Sequence, residues 1–416
     1  MIFLFIHQNF PAQFRHVAQS LSEKKEHKVI GLGEVKNIKR SLSLFPNILC
    51  YGYEFTSSGG EKTHHYLKEH EQHIRRGQVV VRSLIGLKEK GIKPDVIVAH
   101  SGWGEALFIR QVFPTARIIH YCEYFYHSNG ADVGFDPEFP SSFDNEFKMP
   151  IRNSTQLLGL LQCDLAVSPT AWQRSLYPSE FLPKIRELHE GIDTDIFKPN
   201  AEVVLKICEH EFTKDNQIIT FVSRNLEPYR GFHQFMRALP KMQLMCPDAH
   251  IIIVGGNDVS YGSKLSNGLT YKQKYIKELN SLSQIDVAVD WTKVHFTGKL
   301  PYVEYLKVLQ VSSVHVYLTY PFVLSWSMLE AMSVGCVLVA SSTTPVEEII
   351  TSGVDGLLVD FFDQNSLLKQ VQDVVLNPEK YLDMRKSARK LMQEKYDLQR
   401  IILPKWIKFV EGDLMD

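Results

Sequence analysis

Two arginines, one acid in an apolar run and a few polar residues beside other apolar runs are the parts of this chain that could do chemistry. Arg224 and Arg230 stand in SRNLEPYRGFHQF, after the run ITFV and before a helical pattern. Two guanidinium groups beside a helix N-terminus suit a diphosphate, because fork geometry, fixed charge and open N–H donors favour the same anion. Solvated loop arginines are the plain alternative. In YPFVLSWSMLEAM, residues 320–332, a single carboxylate, Glu330, interrupts an apolar segment. Removing an ionised carboxylate from water is costly, so this acid is paired, less buried than it reads, or turned to a ligand. In the first half, His7, Asn9 and Gln13 follow IFLFI, His100 closes VIVAH, and Glu105 and Glu123 stand just past apolar runs. Such side chains suit hydrogen bonds to a polar substrate, and the aromatics Tyr121, Tyr124 and Phe125 beside Glu123 suit stacking on a ligand face. Capping, solvation and ion pairing compete with that reading.

The elements that would position these residues are short β-branched runs alternating with helical patterns. IFLFI, HKVIGL, DVIVAH, ARIIHYC and CDLAVS fall in the first half; QIITFVS, AHIIIVGG, KVHFTG, VHVYLT, CVLVAS and DGLLVD fall in the second. This alternation predicts an α/β protein with parallel sheets covered on both faces. The pattern restarts after a polar stretch near 199–216, giving a first domain over 1–198 and a second over 199–395. Residues 396–416, containing DLQRIILPKWIKFVEGDL, read as a terminal amphipathic helix crossing back to the first domain. In open parallel sheets ligands sit beyond the carboxyl ends of the strands, so two facing doubly wound domains predict a cleft between two such edges.

Bulk numbers narrow the function class. The chain has 416 residues, 44% hydrophobic and 22% charged, with a formal net charge of −1. That balance fits a soluble globular protein and argues against a general nucleic-acid binder. The six cysteines are scattered without a C-x-x-C pair, which predicts neither a disulfide framework nor a zinc ribbon and fits the cytoplasm. MIFLFI runs straight into HQN and reads as a first strand; no apolar run is long enough to span a bilayer, so membrane contact at the inner face would be peripheral.

Several motifs occur in order over residues 186–360. SRNLEPYRG resembles the G-R-L-x-x-x-K-G loop of the retaining family-4 glycosyltransferases, and HEGIDTDIFKP resembles their interdomain N-G-V-D-x-x-x-F-x-P. FTGKLPYVEYLKVLQVSSVHVYLTYP is similar to the stretch leading to their donor site. MLEAMSVGCVLVAS and TTPVEEIITSGVDGLLVD resemble the L-E-A-M-A-x-G-x-P-V and P-E-I-I-x-x-G-x-x-G-L-L-V signatures. In the first half HQNFPAQFRHVA and GADVGFDPEFP look like those of one subgroup. The resemblance implies the GT-B fold of two Rossmann-like domains. By position it implies that Arg224 and Arg230 hold the donor diphosphate and Glu330 the nucleotide ribose. Gly298, Lys299, Leu300, Phe322, Leu324 and Ser325 would complete the donor site, with Glu123 a catalytic acid across the cleft. A second glutamate usual in the family eight residues before the ribose one is here Phe322. Phenylalanine accepts no sugar hydroxyl, so that contact must shift to the 322–325 turn, to Ser325, or to an acid of the other domain.

The reading that follows is retaining, metal-independent transfer of a sugar from a nucleotide-diphosphate donor, UDP-linked, to a carbohydrate or glycolipid acceptor. The nucleotide sugar is a co-substrate and no cofactor is expected. A nucleotide-sugar epimerase or hydrolase would consume donor without acceptor; a catalytically silent partner would bind donor without turnover. Three motifs are set aside. Asp193-Thr194-Asp195 has metal-binding D-x-D spacing but sits in the linker match; His70 to His73, HEQH, reads as a solvated helix face; GGNDVSYG fails the dinucleotide pattern. The basic KNIKR at 36–40 reads as a solvated loop.

Overall fold

Runs of Val, Ile, Leu and Phe form parallel strands buried on both faces, and two sheets result. The computed structural model describes residues 1–41, 44–57, 60, 62–282 and 288–412. The chain forms two compact units, Met1–Gly191 with the segment from Leu398 onward, and Ile192–Asp397. The passage between them at Gly191–Ile192 lies seven residues before the point expected from composition.

The first unit holds strands β1 (Ile2–Ile6), β2 (Lys28–Glu34), β3 (Leu49–Tyr53), β4 (Val96–His100), β5 (Arg117–Tyr121), β6 (Leu165–Ser168) and β7 (Ile185–Glu187). They form one sheet in the order β3-β2-β1-β4-β5-β6-β7, every pair parallel. Alternation along β1 supplies both cores: Leu4 and Ile6 pack with Ile30 and Leu84 on one face, while Phe3 and Phe5 pack with Phe14 and Phe409 on the other. Phe409 comes from the terminal helix Leu403–Glu411. Trp406 of that helix donates its indole N–H to the His189 carbonyl at 2.9 Å, and Arg117 bonds the Phe409 carbonyl at 2.9 Å.

The second unit opens with a small antiparallel hairpin, β8 (Leu205–Ile207) and β9 (His210–Phe212). Its main sheet comprises β10 (Ile218–Asn225), β11 (His250–Gly256), β12 (Val294–Gly298), β13 (Val314–Tyr317), β14 (Val337–Ser341) and β15 (Leu357–Val359), ordered β12-β11-β10-β13-β14-β15 and parallel throughout. In each sheet the order of winding reverses once, between β1 and β4 and between β10 and β13. A crevice at the strand ends is built at such points.

Three elements go beyond the sequence reading. Strands β3 and β7 are half-exposed edge strands without long β-branched runs, and the hairpin lies in the stretch read as a polar linker. KNIKR lies in a short helix, Val35–Ser41, rather than a loop. Among the described residues no helix is long and apolar enough to cross a membrane.

The buried histidines make stability depend on pH. His120 on β5 is fully buried, neither ring nitrogen has a hydrogen-bond partner among the described residues, and burial lowers its pKa to about 3. The folded value thus lies below the unfolded one, near 6.5. Above pH 6.5 both states are neutral; as pH falls toward 3 only the unfolded chain takes the proton, so stability drops. His120→Leu removes this linkage. Its urea stability relative to the parent is expected to rise by about 1.4 kcal/mol per pH unit between pH 6 and 4. A constant difference across that window would contradict the assignment.

Candidate functional site

At the reversal point of the second sheet, β10 ends in Arg224 and Asn225, and a 3-10 turn, Pro228–Arg230, follows. Arg224 is exposed. Arg230 is buried and reaches across to the segment after β13, donating to Tyr317 Oη at 3.3 Å, Thr319 Oγ1 at 2.8 Å and the Val323 carbonyl at 2.9 Å. Tyr317 Oη in turn accepts the Ser325 N–H at 3.0 Å, and the Ser325 hydroxyl caps the helix Trp326–Val334 that carries Glu330. Gly231, at φ +66°, lets this turn close: a Cβ there would meet Leu318 Cβ at 2.2 Å.

Two carboxylates are fixed here by partners invisible to local sequence. Glu330, 5% exposed, accepts the hydroxyls of Tyr302 and Tyr305, each at 2.6 Å. Burial raises its pKa while the two tyrosine hydrogen bonds pull it down, the net shift being upward. Of the alternatives left open for Glu330, it is buried and paired, with one hydroxyl on each oxygen, rather than exposed. Each oxygen has two acceptor positions, so a further donor can still be met. Glu227 has no exposed surface and accepts backbone N–H groups from Ser260 at 2.9 Å, Tyr261 at 3.1 Å and Gly262 at 3.0 Å. GGNDVSYG, rejected as a dinucleotide loop, is thereby a strap tied to the turn after β10. The Arg230 guanidinium lies 5.3 Å from the Tyr261 ring centroid, and Phe322 packs 4.9 Å from Tyr261 and 5.3 Å from Tyr229.

The remaining donor-side candidates line the same strand ends. Phe322 and Leu324 are buried, and Phe322 is a wall of the aromatic cluster. Gly298 adopts φ +69° at the end of β12, before exposed Lys299 and half-buried Leu300. Lys299 and Asn225 both crowd Gly256: a Cβ there would meet Lys299 Cε and Asn225 Oδ1, each at 2.5 Å. Sequence reasoning missed Glu227, Tyr261, Tyr302 and Tyr305. For the last two, tyrosines at i, i+3 on one helix face were the available signal.

In the first unit, His7 follows β1, His100 closes β4 and Glu123 lies just past β5. Gln13 Nε2 donates to Glu123 Oε1 at 2.9 Å, and His100 Nε2 lies 3.3 Å from Glu123 Oε2. The His100 Nδ1 accepts the Gly102 N–H at 3.0 Å, which turns Nε2 toward the Glu123 carboxylate. Its ring stacks on Trp103 with centroids 3.9 Å apart and planes 11° from parallel. His7 is buried beside both, its Nδ1 accepting the Asn9 N–H at 2.8 Å; burial and then the neighbouring His100 hold its pKa well below the usual value. Asn9 itself is exposed and accepts from Asn37 at 2.9 Å.

Glu105 departs from expectation. It is 1% exposed, accepts the Tyr53 hydroxyl at 2.9 Å and lies 3.9 Å from Arg76, with burial pushing its pKa up. It has no surface with which to meet an acceptor, and its position just after β4 is spent on the core. The HEQH histidines are not a solvated face either: His73 is buried with Nδ1 2.9 Å from Thr155 Oγ1, and His70 Nδ1 meets the Ser154 hydroxyl at 2.8 Å. Asp193 accepts the backbone N–H groups of Asp195 and Ile196, closing a turn.

Comparison with known proteins extends these observations. Residues 25–197 match the model described as glycosyl transferase family 4 group, and residues 206–391 match glycosyl transferases group 1. A GDP-mannose-dependent alpha-(1-6)-phosphatidylinositol monomannoside mannosyltransferase of Mycolicibacterium smegmatis is 32% identical over 95 residues, 22% of this chain and 25% of the relative. The match thus spans a quarter of that relative's length. Among solved structures, Anabaena HepE in complex with UDP-glucose aligns over 100% of both chains with a TM-score of 0.66 and 14% identity. Sucrose-phosphate synthase from Thermosynechococcus elongatus aligns over 99% of this chain and 98% of its own, with a TM-score of 0.69 and 17% identity. At these identities the likeness is one of fold.

Proposed function

From a chain that belongs to the family-4 glycosyltransferases with the GT-B fold, we propose an enzyme that transfers a sugar from a UDP-linked donor to a hydroxyl of a carbohydrate or glycolipid acceptor, with retention and without a metal ion. The observation that carries this reading is the reversal point of the second sheet. There Arg230 ties the turn after β10 to the segment after β13, and Arg224 stands exposed at the end of the same strand. As the glycosidic bond breaks, negative charge grows on the departing phosphate, and guanidinium groups already in place stabilise that charge more than the ground state. Arg224 supplies open donors. Arg230 supplies charge and holds the 322–325 turn, where the Ser325 hydroxyl and backbone N–H groups other than that of Ser325, which Tyr317 Oη accepts, take over the sugar contacts that Phe322 cannot make. Glu330 meets the donor's ribose through its remaining acceptor positions. On the acceptor side Glu123, oriented by Gln13 and His100, accepts a hydroxyl of the incoming sugar.

HepE is described in complex with UDP-glucose and the mannosyltransferase relative as GDP-mannose-dependent, so both nucleotides belong in the test. Incubating the full chain with UDP- and GDP-sugars should release nucleotide only when a saccharide acceptor is added, with the rate unchanged by EDTA. Donor consumption without acceptor would point instead to an epimerase or hydrolase, and binding without turnover to a silent partner.

A further inference from the structure

The two phenols on Glu330 decide how strictly the pentose of a nucleotide is chosen, an inference that rests on the reading of Glu330 as the ribose acid. Glu330 is 5% exposed, and its partners differ in kind. Tyr305, 8% exposed, holds Oε2 from the core at 2.6 Å. Tyr302, 57% exposed, holds Oε1 at 2.6 Å from a ring that is mostly in solvent. Tyr302 is the first residue of the helix Tyr302–Val311, and its ring packs edge-on to Phe197 with centroids 5.0 Å apart. A hydroxyl on an exposed ring exchanges its bond for one to water at little net cost, whereas a core hydroxyl that loses its acceptor is stranded. Oε1 is thus held by a group that gives way and Oε2 by one that does not.

A ribose diol brings two hydroxyls to one carboxylate. We infer that one of them takes an acceptor position still open on Glu330 while the other takes the place of the Tyr302 phenol on Oε1, so that Tyr302 competes with the ligand for the acid. A site that buries an acceptor for a ligand hydroxyl ordinarily rejects the analogue lacking it, on the order of 10⁴-fold, because the acceptor is left unmet. Here a nucleotide without the competing hydroxyl leaves the phenol where it is, and Oε1 keeps a donor in either case. The donor site therefore admits deoxynucleoside diphosphates of the 2′ or the 3′ series nearly as well as their ribose forms. Tyr302 is in this sense a specificity-determining residue: it relaxes a discrimination that the buried acid alone would impose.

Calorimetric titration of UDP, 2′-deoxy-UDP and 3′-deoxy-UDP into the full chain, with the guanosine set in parallel, tests this. In the parent chain at least one deoxy form of the preferred nucleotide is expected to bind within about threefold of the ribose form, since one hydrogen bond replaces another. Tyr302→Phe keeps the ring against Phe197 and removes the hydroxyl that stands in for the ligand's. Both deoxy forms should then bind at least about tenfold more weakly than the ribose form. Each ratio is taken within one protein, so a change in the variant's stability does not enter it. Both deoxy forms bound more than about threefold more weakly by the parent would overturn the role of Tyr302 alone. So would a ratio that Tyr302→Phe leaves unchanged in a chain whose affinity for the ribose form falls with Glu330→Gln. Ribose and deoxy forms bound alike by the parent, Tyr302→Phe and Glu330→Gln, or no nucleotide bound at all, would overturn it together with the reading of Glu330.

Discussion

Replacing Arg230 by alanine is expected to lower kcat/KM on the order of 100- to 1,000-fold, the range seen when one preorganised donor to a developing oxyanion is removed. The loss has two parts. The first is the charge opposite the departing phosphate, which matters only in the transition state and so falls on kcat. The second is structural: without the guanidinium, Thr319 Oγ1 and the Val323 carbonyl lose a donor, and the turn that leads into the helix of Glu330 loses its anchor. Each buried acceptor left unmet costs about 1–3 kcal/mol. Arg230→Lys separates the parts, because it restores charge without the fork that meets two acceptors at once. Steady-state kinetics alongside thermal midpoints should show Arg230→Lys recovering more of kcat than of stability. Equal recovery of both would place Arg230 in the fold alone.

Replacing Glu330 by alanine is expected to be the second large loss, and for a reason sequence did not supply. The carboxylate accepts hydroxyls from Tyr302, mostly exposed, and Tyr305, 8% exposed. Removing it strands the Tyr305 hydroxyl in the core at a cost of about 1–3 kcal/mol, and removes a contact to the donor's ribose. Glu330→Gln keeps the volume and one carbonyl acceptor. It should recover at least half of the lost stability while leaving the KM for nucleotide sugar raised about tenfold or more. A KM that returns to the parent value in Glu330→Gln would assign the acid to the tyrosine pair and not to the nucleotide. Tyr305→Phe is the complementary probe: it leaves the ribose contact in place and should alter stability more than KM.

These two residues also show what a single sequence discloses. The sheets were legible because parallel strands covered on both faces must be continuously apolar, and β1, β4, β10, β11 and β14 are written that way. The edges were not, since β3 and β7 bury only one side and carry Gly, Arg and Glu. Polar residues past the ends of strands were also legible, because strand order places them at one edge of a sheet. Which of them face a ligand was not: Arg224, exposed, and Glu105, shut into the core by Tyr53 and Arg76, occupy similar places in their strands' pattern. The difference lies in partners 29 to 52 residues distant, and no local spacing encodes it. The same holds for Glu227, whose three N–H donors come from a loop more than 30 residues on.

Arg224 offers the most direct test, because its exposed side chain can be removed with little consequence for the core. Calorimetric titration of UDP, and of GDP in parallel, into the full chain and into Arg224→Ala should show the preferred nucleotide bound at least about tenfold more weakly by the variant, with an unchanged thermal midpoint, as loss of a charge-assisted hydrogen bond requires. Equal affinity for both nucleotides in the two proteins would contradict a diphosphate site at the end of β10.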